Sequence, residues 1–103
     1  MFKEDNYRPL PLEVEIRKST IEGYGLFAKY LISSGKNLGC THIYNTDFQD
    51  NRIRTPLGGF INHSEEPNCE VREDVDGNLM LFTLRPILPN EELTLKYNLY
   101  KVH

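Results

Sequence analysis

Glu70-Val71-Arg72-Glu73-Asp74-Val75-Asp76-Gly77-Asn78-Leu79-Met80-Leu81-Phe82-Thr83-Leu84 is the stretch that decides the fold class. Asp76-Gly77 separates the extended Glu70-Val71-Arg72 from a rich apolar run, and Asp-Gly between extended segments is a strong hairpin signal. Downstream, Pro86 and Pro89-Asn90 close a loop in which Asn90 suits left-handed geometry. Leu93-Thr94-Leu95-Lys96-Tyr97 then alternates again, as a half-buried strand does.

Upstream, Pro56-Leu57-Gly58-Gly59-Phe60-Ile61 leads into Asn62-His63-Ser64. The paired glycines permit close backbone approach, so this reads as a site-like loop. Asn45 to Arg54 is polar and irregular, and Leu38 to Tyr44 is extended. Leu31 to Gly35 reads as a turn. In Ile21-Glu22-Gly23-Tyr24-Gly25-Leu26-Phe27-Ala28 the glycines bend the chain before an apolar run enters the core as a short strand. Glu13 to Arg17 alternates with period two and forms the first strand. Before it, Pro9 and Pro11 push Tyr7 to Leu12 into extended geometry. No window of about a dozen residues carries a sustained helical stripe. The expected architecture is mainly β, with an N-terminal arm at 1–12 and one domain at 13–103.

Composition narrows the function. A chain of 103 residues that is 39% hydrophobic is long enough for one compact core. Its apolar runs are too short to span a bilayer, and Met1 to Leu12 carries Lys3, Glu4, Asp5 and Arg8 in place of a signal sequence. No membrane role and an intracellular place, cytoplasmic or nuclear, are expected. Cys40 and Cys69 read as free thiols. His42, His63 and His103 lack metal-ligand spacing, so no metal is expected. A net charge of −3 argues against direct nucleic-acid binding, which needs a basic surface. Between Glu65 and Asp76, Glu65, Glu66, Glu70, Glu73, Asp74 and Asp76 face a single Arg72, a pattern read either as a solvated hairpin or as an attraction for a basic peptide.

Three segments together resemble the SET domain family, in its minimal, stand-alone, viral- or bacterial-like form. Ser19 to Ala28 is similar to that family's cofactor-binding Gly-x-Gly segment. Phe60-Ile61-Asn62-His63-Ser64-Glu65-Glu66-Pro67-Asn68-Cys69 looks like its Asn-His-Ser-x-x-Pro-Asn motif. Glu91-Glu92-Leu93-Thr94-Leu95-Lys96-Tyr97 is similar to its C-terminal Glu-Glu-Leu-Thr-x-x-Tyr motif. Taken singly, a Gly-x-Gly turn is a plain bend and Tyr97 a strand aromatic; in this order the three carry the identification.

The resemblance implies a β-clip-like fold of short strands with a C-terminal pseudoknot-like crossing that brings Asn62, His63 and Tyr97 together. It implies a methyltransferase that uses S-adenosyl-L-methionine and modifies a lysine in a basic segment of a protein. Gly23, Tyr24, Gly25, Asn62 and His63 would contact the cofactor. Tyr97 would be the catalytic residue that orients the amine, with Tyr44 and Tyr100 as candidate walls of the substrate channel. An alternative is a non-catalytic SET-like module that binds a protein partner. This chain departs from the family pattern at Glu65, where many members have a zinc-binding cysteine, at Gly59, where a basic residue is common, and at Lys96, where an acid is common. The stretch from Ala28 to Phe60 is also short, so substrate contacts must come from the Asn45 to Arg54 loop, the arm or a second subunit of a homodimer.

Overall fold

The structure, a computed structural model, describes residues 9–48 and 51–96. Eight short strands and one helical turn follow in order: β1 Val14–Lys18, β2 Tyr24–Ala28, β3 Asn37–Tyr44, β4 Arg52–Arg54, α1 Pro56–Gly59, β5 Asn62–His63, β6 Cys69–Glu73, β7 Leu79–Thr83 and β8 Glu92–Leu95. They form two four-stranded sheets, β1-β2-β8-β5 and β4-β3-β7-β6. The fold is the mainly β arrangement of short strands that the sequence predicts.

The Asp76-Gly77 hairpin joins β6 to β7, with Val71 opposite Leu81 and Glu73 opposite Leu79. Gly77 takes φ +86°, and the Asp74 carboxylate accepts from the main-chain N–H groups of Asp76 and Asn78, both at 2.9 Å. An aspartate bonded to its own turn in this way holds the reversal before any distant contact forms. In β7, Leu79, Leu81 and Thr83 are buried while Met80 and Phe82 are partly covered, the period-two pattern of a strand. Asn90 has φ +72°, the left-handed geometry expected of it.

One apolar cluster joins both sheets. It takes Val14, Leu26, Ala28, Leu93 and Leu95 from the first sheet, Leu38, Cys69 and Leu81 from the second, and Ile32, Leu57, Ile61 and Ile87 from the connections. Leu10, near the end of the arm, packs against it. An antiparallel bridge between Ile32 and Ile87 ties the loop after β2 to the loop before β8. Cys40 and Cys69 are free, and burial pushes the Cys69 thiol up to about 12.

Three local expectations change. Arg52 to Arg54 is a strand, because Ile53 pairs with Ile43 and Arg54 with His42 across a non-local ladder. Pro56 to Gly59 is a helical turn capped by Thr55, whose hydroxyl accepts from Gly58 N at 3.3 Å and donates to the Cys40 carbonyl at 2.7 Å. In β8, Leu93, Thr94 and Leu95 are all buried and do not alternate. This strand lies between β2 and β5, and Asn68 covers Thr94.

Candidate active site

The Gly23–Gly25 turn and the Asn62–His63 strand are brought together by β8. Strand β5 runs parallel to β8, with Asn62 opposite Thr94 and His63 opposite Leu95. The ladder continues as Ser64 N donates to the Leu95 carbonyl at 2.8 Å. On its other edge β8 pairs with β2, Leu26 opposite Leu93 and Phe27 opposite Glu92. The two motifs, far apart in sequence, therefore flank one central strand.

Side chains complete the junction. Asn62 Nδ2 donates to the carbonyls of Glu22 at 3.1 Å and Tyr24 at 3.4 Å, and to Glu92 Oε2 at 2.8 Å. Ser19 Oγ donates to both Glu92 oxygens, at 2.8 and 3.0 Å, and accepts from Ile21 N at 2.9 Å. Gly23 takes φ +48°, a left-handed value that favours glycine, and its Cα faces open space. The Tyr24 side chain beside it is exposed. His63 is half-buried; its Nε2 lies 2.8 Å from Glu65 Oε2, and Lys96 Nζ lies 3.4 Å from Glu65 Oε1. The hydrogen bond to His63, and after it Lys96, holds the Glu65 carboxyl below its ordinary value. Glu65 and Lys96, both departures from the family pattern, thus form a pair that bridges the Asn-His loop and the end of β8.

Of the candidate residues, Gly23, Tyr24, Gly25, Asn62 and His63 converge here. Tyr44 lies on the other sheet, where its N–H donates to Asn78 Oδ1 at 2.8 Å and its ring lies against Gly77. Tyr97 and Tyr100 lie outside the described residues. The acidic stretch is largely matched by partners: Glu70 pairs with Arg72, Glu73 with Arg52, Glu65 with His63 and Lys96, and Asp74 caps its own turn. Arg72 lies two residues from Glu70 on β6, and Arg52 of β4 reaches Glu73 and the Gly77 carbonyl, so the surface carries less unbalanced charge than the composition predicts.

Glu92 and Asn68 stand inside two of the motifs, but the motif reading gives neither a role in building the site. Asn68 is 3% exposed, and its side chain bonds the main chain of β8 at Glu92 and Thr94, each at 2.8 Å. The available signal was the Pro67-Asn68 pair that ends the Asn-His-Ser-x-x-Pro-Asn motif, since a buried amide must find partners.

The family model for the SET domain matches residues 40–98. This chain belongs to the SET domain family. Human histone-lysine N-methyltransferase 2B is 33% identical to it over 114 aligned residues, covering 82% of this chain. A Cryptococcus neoformans histone-lysine N-methyltransferase described as specific for H3 lysine 36 is 35% identical over 68 residues, covering 58% of this chain. The chain spans 4% and 8% of the lengths of these two relatives. Two solved structures share the SET fold at a TM-score of 0.65 and 22% identity. One is a Plasmodium falciparum protein described as a candidate histone methyltransferase, with 82% of this chain and 92% of that one covered. The other is the methyltransferase domain of human PR domain-containing protein 2, with 84% and 77% covered.

Proposed function

We propose that this SET domain transfers a methyl group from S-adenosyl-L-methionine to a lysine of a protein substrate. The observation that carries the reading is the junction at Asn62. Its amide bonds the carbonyls of Glu22 and Tyr24, and its strand is in register with Thr94 and Leu95, the residues that lead into Tyr97. The three segments that resemble the family's motifs therefore meet at one place.

SET-domain methyltransferases use S-adenosyl-L-methionine, which supplies a sulfonium methyl for in-line displacement by a neutral amine. The turn suits such a ligand. Open space at Gly23, the exposed Tyr24 ring and the main-chain edge of the turn offer apolar surface beside polar groups, the mixture small-molecule sites use. Gly23, Tyr24, Gly25, Asn62 and His63 are the residues assigned to hold it. Tyr97 is assigned to orient the amine through its hydroxyl. A free lysine has a pKa of about 10.4, and desolvation beside a cation lowers it, so the amine sheds its proton to water without a dedicated base. Most of the acceleration then comes from positioning. Tyr100 and, from the other sheet, Tyr44 are assigned to the channel wall.

A second reading, a SET-like module that binds a partner without catalysis, is favoured by the short connection between β3 and α1, where the described chain adds only the three-residue strand β4. Incubating the protein with methyl-labelled S-adenosyl-L-methionine and total protein extract separates the two. Label transferred to protein lysine supports the enzyme. Stabilisation by the cofactor, which reaches about 2.7 kcal/mol at a hundred times Kd, without any transfer supports the module. A melting temperature unmoved by millimolar cofactor overturns the enzyme reading and favours the module.

A further inference from the structure

Glu92 opens β8, and its carboxylate lies beneath the Gly23–Gly25 turn. It accepts Ser19 Oγ from the start of the turn and Asn62 Nδ2 from β5, so one side chain ties three separate segments. These bonds span 73 and 30 residues of chain. Gly25 leaves the room for this arrangement. A Cβ on it would stand 2.1 Å from Glu92 Oε2 and 3.0 Å from Asn62 Nδ2, closer than any real contact allows for the carboxylate. A side chain at this position would have to displace the Glu92 carboxylate from its place.

The same contacts fix which way the Asn62 amide points. Around its nitrogen lie a carboxylate oxygen and two carbonyl oxygens, all acceptors. An inverted amide would set oxygen against oxygen at three places, so only one orientation satisfies them. Glu92 is the closest of the three acceptors and the one that is charged, and charge-assisted bonds are the stronger kind.

We propose that Glu92 is a positioning residue, which holds Asn62 and the Gly23–Gly25 turn in the arrangement that receives the cofactor and acts through them. This rests on the cofactor reading given above. The test combines two measurements on Glu92→Ala and Glu92→Gln in the full chain: the side-chain amide resonances of Asn62 in the ligand-free protein, and calorimetric affinity for S-adenosyl-L-methionine. Glu92→Ala should move the Asn62 resonances towards those of a solvated amide and weaken the cofactor by about tenfold or more, the effect of leaving a positioned amide without its main acceptor. Glu92→Gln keeps an oxygen facing Asn62 and a donor facing Ser19. It should shift the Asn62 resonances by less and hold the affinity within about threefold, because position and not charge is retained.

Asn62 resonances unmoved in a folded Glu92→Ala protein overturn the proposal. So does a Glu92→Gln protein that loses as much affinity as Glu92→Ala, which assigns Glu92 a direct electrostatic role. If Glu92→Ala does not fold, Glu92→Gln decides alone: affinity lost by about tenfold or more while the Asn62 resonances stay close to wild type overturns the proposal. If the wild type binds no cofactor, the cofactor reading fails on its own, and the ligand-free Asn62 resonances still report whether Glu92 holds the amide.

Discussion

Asn68 stands in for a neighbouring strand beside Thr94. Its Oδ1 accepts from Thr94 N at 2.8 Å, its main-chain N–H donates to Thr94 Oγ1 at 3.2 Å, and its Nδ2 donates to the Glu92 carbonyl at 2.8 Å. Through these bonds the segment after Pro67 supports the strand on which the Asn62–His63 pair is registered.

Replacing Asn68 with alanine removes the side-chain partners of the buried Thr94 N–H and the part-buried Glu92 carbonyl of β8. The expected cost is about 2–3 kcal/mol, which lowers the melting temperature by roughly 10–20 °C in a domain of this size. Thermal unfolding followed by circular dichroism reads it. A shift of no more than about 2 °C removes Asn68 from the support of β8.

Gly58 and Gly59 offer a paired test of the α1–β3 contact. A Cβ on Gly58 would stand 2.4 Å from the Thr41 carbonyl oxygen, which is held in turn by Thr55 N at 2.8 Å. Main chain fixed on both sides cannot yield, so Gly58→Ala should destabilise by about 1–3 kcal/mol. At Gly59 a Cβ meets nothing within 4 Å, and Gly59→Ala should be neutral or stabilising by up to about 1 kcal/mol. Equal effects in urea unfolding would contradict the packing described.

The Glu65 bridge to His63 and Lys96 predicts a small acid-dependent term. The Glu65 carboxyl titrates below its ordinary value of 4.5 in the folded chain, chiefly through the His63 hydrogen bond. A folded value depressed below the unfolded one contributes stability that is present above the unfolded value and lost as pH falls through the folded one. Glu65→Gln should therefore melt slightly below wild type near neutrality, and the gap should close as pH falls below 4.5 and through the lower folded value. Because Glu65 is 75% exposed, high salt should also shrink the gap. A gap that widens in acid would refute the sign.

What the sequence made legible was local. The Asp76-Gly77 reversal was readable because turn and cap lie within five residues, and the first strand because Glu13 to Arg17 alternates polar and apolar residues, although of its apolar positions Val14 is buried and Ile16 exposed on the sheet edge. Strand β4 was not, since Arg52-Ile53-Arg54 acquires its identity only from pairing with His42 to Tyr44. The α1 turn was masked by two glycines of poor helix propensity, although Thr55-Pro56 is a cap followed by a favourable first residue. At the site, the glycine turn and Asn62–His63 were legible as motifs. Glu92 was legible as a member of the C-terminal motif but not in its role, because nothing in its neighbourhood of sequence announces Ser19 or Asn62 as its partners. The position of the Tyr44 ring against Gly77 was not legible either, because it depends on the hairpin meeting the end of β3.

Tyr97 carries the sharpest prediction. It directly follows Lys96, whose amine reaches Glu65, and comes two residues after Leu95, which is in register with His63. Under the proposed function its hydroxyl orients the attacking nitrogen, whereas its ring contributes only packing. Tyr97→Phe should therefore leave the melting temperature and the affinity for S-adenosyl-L-methionine close to wild type. Methyl transfer should fall by roughly a hundredfold, the effect of losing one positioned hydrogen bond in the transition state. The loss should appear in kcat more than in the KM for the cofactor, since the hydroxyl acts on the amine and not on the donor. In the binding-module reading the same substitution has no transfer to reduce and leaves partner affinity unchanged. Equal kcat for Tyr97→Phe and wild type, with transfer confirmed in both, would take Tyr97 out of the mechanism and make Tyr100 the next hydroxyl to remove.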